Sequence, residues 1–110
     1  MRAEDLKGNL DGMLLAVLTA EPKHGYAIVE ALRQRSDGRV NLPSGTVYPA
    51  LHRLENGGLV NSRWESVGGR RRRVYEITSA GQQTLHEARA NWRDIIATMR
   101  SIMLSDEPTN

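Results

Sequence analysis

The strongest concentration of chemically active side chains in this sequence is a run of four consecutive arginines, Arg70, Arg71, Arg72 and Arg73. A guanidinium stays charged at any physiological pH and presents a fork of N–H donors that suits phosphate or carboxylate. The net charge is only +2, but it is unevenly placed. Residues 1–61 carry seven Lys/Arg and seven Asp/Glu, residues 62–75 carry five Arg against Glu65, and residues 76–110 carry three Arg against five acids. All the excess positive charge therefore falls in one short segment, which is the electrostatic footprint of a nucleic-acid contact. On charge alone, a solvated arginine loop fits equally well.

Other chemistries are poorly supplied. There are no cysteines, which excludes disulfides, thiol catalysis and thiolate metal sites. His24, His52 and His86 are the only histidines, and no two share a metal-like spacing such as i, i+4. No Ser-His-Asp arrangement stands out and no glycine-rich phosphate loop follows a strand, so no enzyme, metal or cofactor is expected. Met13 to Ala20, the most apolar stretch, is far too short to span a bilayer. Nothing resembles a signal peptide, and the expectation is a cytoplasmic protein without a membrane partner.

A second group of candidate contacts precedes the arginines. Ser44, Thr46, Tyr48, Pro49 and Arg53 lie in a segment whose apolar residues Val47, Leu51 and Leu54 recur at i, i+4 and i+7. Ser44 is expected both to cap this helix and to offer its hydroxyl to a phosphate; Pro49 falls in or just beyond the first turn. The face opposite the apolar stripe carries Thr46, Pro49, Ala50 and Arg53, small or polar apart from the arginine, and can approach a groove closely. Arg53 suits a guanine or a phosphate equally.

The elements that must position these residues follow from periodicity. Leu6, Leu10, Met13, Val17 and Leu18 predict a first helix with one apolar face, ended by Pro22. A second helix is predicted from about His24 to Arg35, with Tyr26, Val29 and Leu32 inward, broken by Ser36, Asp37 and Gly38. The third runs from Ser44 to about Asn56 and stops at Gly57-Gly58. Strands are predicted over Leu59 to Ser66 and Arg72 to Ile77, joined around Gly68-Gly69 as a hairpin. The arginines thus start at the tip and run down one strand, where alternation sets Arg71 and Arg73 opposite Arg70 and Arg72.

A long last helix begins near Thr78 or Ser79, where Ser79-x-x-Gln82 fits a capping box. Its apolar residues recur in heptads, with Leu85, Trp92 and Met99 at one position and Ala88, Ile95 and Ile102 at the other; Ile96 and Met103 widen the stripe. A seam between two copies of the chain is favoured over packing on its own domain. The predicted architecture is mainly α with a small β-hairpin: a winged helix-turn-helix over 1–77, a dimerisation helix over 78–104 and a frayed tail over 105–110.

Four segments together resemble the PadR family of transcriptional regulators: His24-Gly25-Tyr26-Ala27-Ile28; Gly45-Thr46-Val47-Tyr48-Pro49-Ala50-Leu51 with Arg53-Leu54-Glu55; Gly57-Gly58-Leu59-Val60; and Gly69 through Thr78 with Gly81. The single short C-terminal helix is similar to the family's smaller subgroup, in which two such helices and the first helix of each chain form the dimer interface. The resemblance implies a repressor of double-stranded operator DNA, with the third helix in the major groove and the wing along the adjacent backbone or minor groove. It also implies inverted ATGT/ACAT half-sites, and in some members release by a small apolar ligand. Val74, where an aromatic is frequent, and the two glycines before the arginines depart from the pattern.

Trp92 stands mid-seam. In similar small members a tryptophan at the matching place lines a cavity that stacks planar drugs, which makes Trp92, Ile95 and Met99 the candidate site for a small aromatic or cationic effector. Plain interface core accounts for Trp92 as well. The rival function is a winged helix used as a protein-interaction module, for which exposed apolar or aromatic anchors would be expected.

Overall fold

The computed structural model describes Leu6 and residues 8–106. Its order is α1 (Leu10–Leu18), β1 (Lys23–His24), α2 (Gly25–Arg35), α3 (Ser44–Asn56), β2 (Val60–Val67), β3 (Arg70–Ile77) and α4 (Ser79–Met99), followed by a π-helical turn over Arg100–Leu104. Of the expected frayed tail, residues 107–110 lie outside the described residues.

α1 differs from the expected one-faced helix. Leu14, Leu15, Val17 and Leu18 are all buried, because α2, α3, α4 and β3 pack around it. Leu14 and Leu15 are wholly enclosed. The core continues through Ile28 and Leu32 of α2, Val40 of the following loop, and Val47, Ala50, Leu51 and Leu54 of α3. Ala50 belongs to this buried stripe and not to the outer face: it stands between Val47 and Leu54 at helical spacing, so it lies over the core. Tyr26 also departs from expectation. It is 63% exposed, and Ile28 takes the inward position on α2.

The end of α3 shows why a glycine stands at position 58. Gly58 has φ of 76°, its N–H donates to the Glu55 carbonyl at 3.0 Å, and the Leu59 N–H donates to the Leu54 carbonyl at 2.9 Å. This is a Schellman closure, which needs a left-handed residue at the position after the cap. It turns the chain directly into β2.

β2 and β3 form an antiparallel hairpin in which Trp64 faces Arg73 and Val67 faces Arg70. Gly68 and Gly69 both have positive φ, 58° and 81°, as a two-residue type I′ turn requires. The two-residue strand β1 pairs with the other edge of β3, giving the order β1-β3-β2. Nothing in the periodicity announces so short a strand.

α4 is capped by Thr78, whose hydroxyl accepts from the Gly81 N–H at 3.0 Å. The expected Ser79–Gln82 box does not form: the cap lies one residue earlier, and Gly81 at the third helical position has no side chain to reach back. Gly81 allows the helix to sit against the loop after α3, since a Cβ there would overlap the Leu59 carbonyl. Leu85, placed in the seam by its heptad position, is instead part of the chain's own core. The helix stays against α1 as far as Trp92 and leaves the body beyond it; the molecule has a long axis of 55 Å against 28 and 22 Å across.

Candidate nucleic-acid interface

α3 carries its core residues on one side, so its outer side is fixed. Gly45, Pro49, His52 and Asn56, at i, i+4, i+7 and i+11, make the outermost stripe, and all four are exposed. Tyr48 flanks it toward the hairpin, and Thr46 and Arg53 flank it on the other side. His52 is not among the contacts expected from the sequence, although its spacing from Gly45 and Pro49 puts it on this stripe.

Ser44 is the first residue of α3 and not its cap. Pro43 holds that position, with φ of −72°, and its carbonyl accepts from the Thr46 and Val47 N–H groups at 3.0 and 3.2 Å. Proline's fixed φ starts the helix without a side-chain cap, which leaves the exposed Ser44 hydroxyl unused by its own helix. Pro49 lies inside the helix, past the first turn, and leaves the Gly45 carbonyl without its helical donor.

Tyr48 is positioned by α2. A Cβ on Gly25 would overlap the Tyr48 ring and hydroxyl, so the tyrosine crosses the start of α2 where only glycine allows it. His24 precedes that glycine and caps α2, its Nδ1 accepting from the Ala27 N–H at 3.4 Å. Burial, and then the nearby Arg72 guanidinium, hold the His24 imidazole below its ordinary pKa.

The five arginines of the hairpin separate into two sets. Arg63 pairs with Glu76 at 2.8 Å and Glu65 at 3.5 Å. Arg73 donates to the Ser62 hydroxyl at 2.9 Å and approaches Glu55 of α3 at 3.8 Å, while the Ser62 hydroxyl donates to Glu55 at 2.6 Å. That network ties the hairpin to the end of α3. Arg70, Arg71 and Arg72 have no carboxylate within ion-pair distance among the described residues. Alternation puts Arg71 and Arg73 on one face, both beside the Trp64 ring, at 5.2 and 5.4 Å from its centroid. Between the hairpin, α3 and the start of α2 lies a cleft of about 520 Å³ lined by His24, Tyr48, His52, Trp64, Arg71, Arg72, Arg73 and Tyr75. Burial pushes the Tyr75 phenol above its ordinary pKa.

Arg53 makes a 2.6 Å ion pair with Asp11 of α1. Both partners are half exposed, so the pair is a weak tether.

Further along α4, Trp92 is 43% exposed and its Nε1–H donates to Asn9 at 3.0 Å. It borders two apolar clefts. One, of about 420 Å³, lies between α1 and α4 and includes Met13, Leu85 and Ala88; the other, of about 390 Å³, includes Ile95, Ile96 and Met99. Ile96, Met99 and Ile102 are between 48% and 73% exposed, whereas Ile95 and Ala88 are half-buried. Among the described residues no group of three or more His, Asp or Glu could hold a metal, and no helix is long and apolar enough to cross a membrane.

Known proteins share this architecture. The family model for the transcriptional regulator PadR-like family matches residues 14–87. The transcriptional regulator Rv3488 of Mycobacterium tuberculosis is 56% identical over 66 residues, 60% of this chain and 59% of that protein. A PadR family transcription regulator from Clostridium difficile is 31% identical with a TM-score of 0.79, covering 87% of this chain and 99% of that one. A transcriptional regulator from Clostridium thermocellum has a TM-score of 0.83 over 94% of this chain and 98% of its own; at 23% identity it shows the fold alone. With a family model spanning most of the chain and a winged-helix fold shared with its members, this chain belongs to the PadR-like family of transcriptional regulators, and it is a regulator and not an enzyme.

Proposed function

We propose that the chain acts as a homodimeric repressor that reads an inverted-repeat operator, with α3 in the major groove and the β2–β3 hairpin along the adjacent backbone or minor groove. The observation that carries this reading is the meeting of Tyr48 and His52 with the unneutralised Arg71 and Arg72 at one cleft. A helix with a small outer stripe can seat deeply in a groove, and free guanidinium groups beside it supply the phosphate contacts that fix its register. Two copies joined along Ile96, Met99 and Ile102 would present two such helices, matching a two-fold operator. Trp92, with Ile95 and Met99, is the proposed site for a planar apolar or cationic effector that releases the DNA.

The protein-interaction reading gains one observation, because Tyr26 and Trp64 are exposed aromatics of the kind that anchor protein partners. Trp64, however, is flanked by two guanidinium groups, which favours an anionic partner. An electrophoretic shift with the promoter upstream of the gene, against a random duplex at matched salt, tests the choice. A repressor prefers the promoter by at least about a thousandfold, and equal weak binding to both would end the operator reading.

A further inference from the structure

Trp64 is a large aromatic residue that the regulator reading leaves without a role. It lies on β2, away from the Gly68-Gly69 tip, and stays 54% exposed although the core is close by. The Arg71 and Arg73 guanidinium groups lie 5.2 and 5.4 Å from its ring centroid. Arg73 is already engaged by Ser62 and Glu55, so it fixes the ring and the hairpin to α3; Arg71 has no acidic partner among the described residues. Across the cleft stand the Tyr48 ring and the His52 imidazole.

The geometry of duplex DNA gives this cleft an occupant. The major and minor grooves are separated by a single sugar–phosphate strand. A protein that sets a helix in one groove and a hairpin against the next must let that strand pass between the two elements. Here the space between them is the cleft of about 520 Å³, with a flat apolar ring on one wall, hydroxyl and imidazole groups on the other, and a free guanidinium at its rim. A deoxyribose presents C–H groups to a ring face, and its phosphate presents oxygens to a guanidinium.

We infer that the cleft between α3 and the hairpin seats the sugar–phosphate strand that divides the two grooves, with Trp64 in contact with a deoxyribose and Arg71 with the adjoining phosphate. This deepens the DNA-binding reading and rests on it. It assigns Trp64 to the interface itself, where contact through the hairpin tip alone would leave the indole in water.

The test uses the full chain labelled with fluorotryptophan, which carries two reporters, at Trp64 and Trp92. The Trp64 resonance is identified by its loss in Trp64→Phe. The probe is a random-sequence duplex of two helical turns at low salt, because backbone contacts do not depend on sequence. Binding should shift the Trp64 resonance and remove its solvent isotope effect. Trp64→Leu should weaken duplex binding about fivefold with its thermal melting unchanged, and Trp64→Phe, which keeps a ring face, should restore most of that affinity. Arg71→Gln should lower the log–log salt slope by about 0.9. If the duplex binds while the Trp64 resonance keeps its solvent effect, the cleft is empty in the complex; this inference then falls and the DNA-binding reading stands. If no duplex binds, both fall together.

Discussion

Tyr48 of α3 lies across Gly25 of α2 so closely that a Cβ at position 25 would overlap its ring and hydroxyl. The contact sets the rotation of α3 about its own axis, because Tyr48 is next to the outer stripe of Pro49 and His52. Gly25→Ala should cost about 1–3 kcal/mol through overpacking, seen as a fall in Tm of roughly 4–8 °C per kcal/mol. In a Tyr48→Leu background the same change should cost less, and a cycle with no coupling would show that the two residues do not share the space.

The hairpin and α3 should separate in their effects on DNA. Replacing Arg71 or Arg72 with Ala should weaken promoter and random DNA alike, and lower the salt slope by about 0.9 for each phosphate no longer neutralised. Thr46→Ala or Arg53→Ala should instead reduce the ratio of specific to nonspecific affinity. Arg53 must leave Asp11 to reach DNA, so Asp11→Asn should raise affinity slightly. An unchanged salt slope with Arg70, Arg71 and Arg72 all replaced would remove the hairpin from the mechanism.

Assembly has a clear control. Ile96 is 48% exposed in one chain, so Ile96→Asp should leave each protomer folded but dissociate the pair and abolish promoter binding. Each large side chain fully buried at such a seam contributes about 1.5–3 kcal/mol. Leu85→Ala acts inside the protomer and should lower its stability by about 2–5 kcal/mol. Sedimentation finding an intact dimer in Ile96→Asp would move the seam elsewhere.

Planar hydrophobic cations should quench tryptophan fluorescence in the wild type and in Trp64→Ala, but not in Trp92→Ala. To act as effectors they must bind the DNA-incompetent arrangement more tightly than the competent one, so the same compounds should weaken promoter binding. Quenching at Trp92 with promoter affinity unchanged would leave a pocket without a regulatory role.

His24 gives a pH dependence of defined sign. Its folded-state pKa is lowered, by burial first and Arg72 second, so folding favours the neutral ring. The corresponding stability is present above the ordinary histidine pKa of about 6.5 and is lost as pH falls below it. His24→Asn keeps a capping side chain without the titration and should flatten the melting temperature between about pH 7 and 5.

The helices were legible in the sequence where one side of a helix faces the core, as in α3. α1 misled because Leu14 and Leu15 fill both flanks, which periodicity cannot separate from a two-sided burial. Ala50 gives no hydrophobic signal of its own that would set it inward; its burial follows only from Val47, Leu51 and Leu54 around it. The arginine run was visible as charge, but the division between Arg73 and Arg71 was not. It depends on Glu55, which lies near in space and eighteen residues away in the chain. Leu85 shows the limit of heptad reasoning, since the same spacing serves an internal core and an external seam.

The fit of Gly81 against the Leu59 carbonyl has a mechanical consequence. With no Cβ to spare between them, the root of α4 has no sideways play, and Leu85 seats it a turn further on. From Gly81 to Trp92 the helix extends about 16 Å. Because Ala88 also packs beside Gly12 and Trp92 is tied to Asn9, this length of helix is held at both ends, and a tilt imposed at the tryptophan is passed to the body that carries α3. In the proposed dimer, the separation of the two α3 helices would thereby be geared to the crossing angle of the two α4 helices.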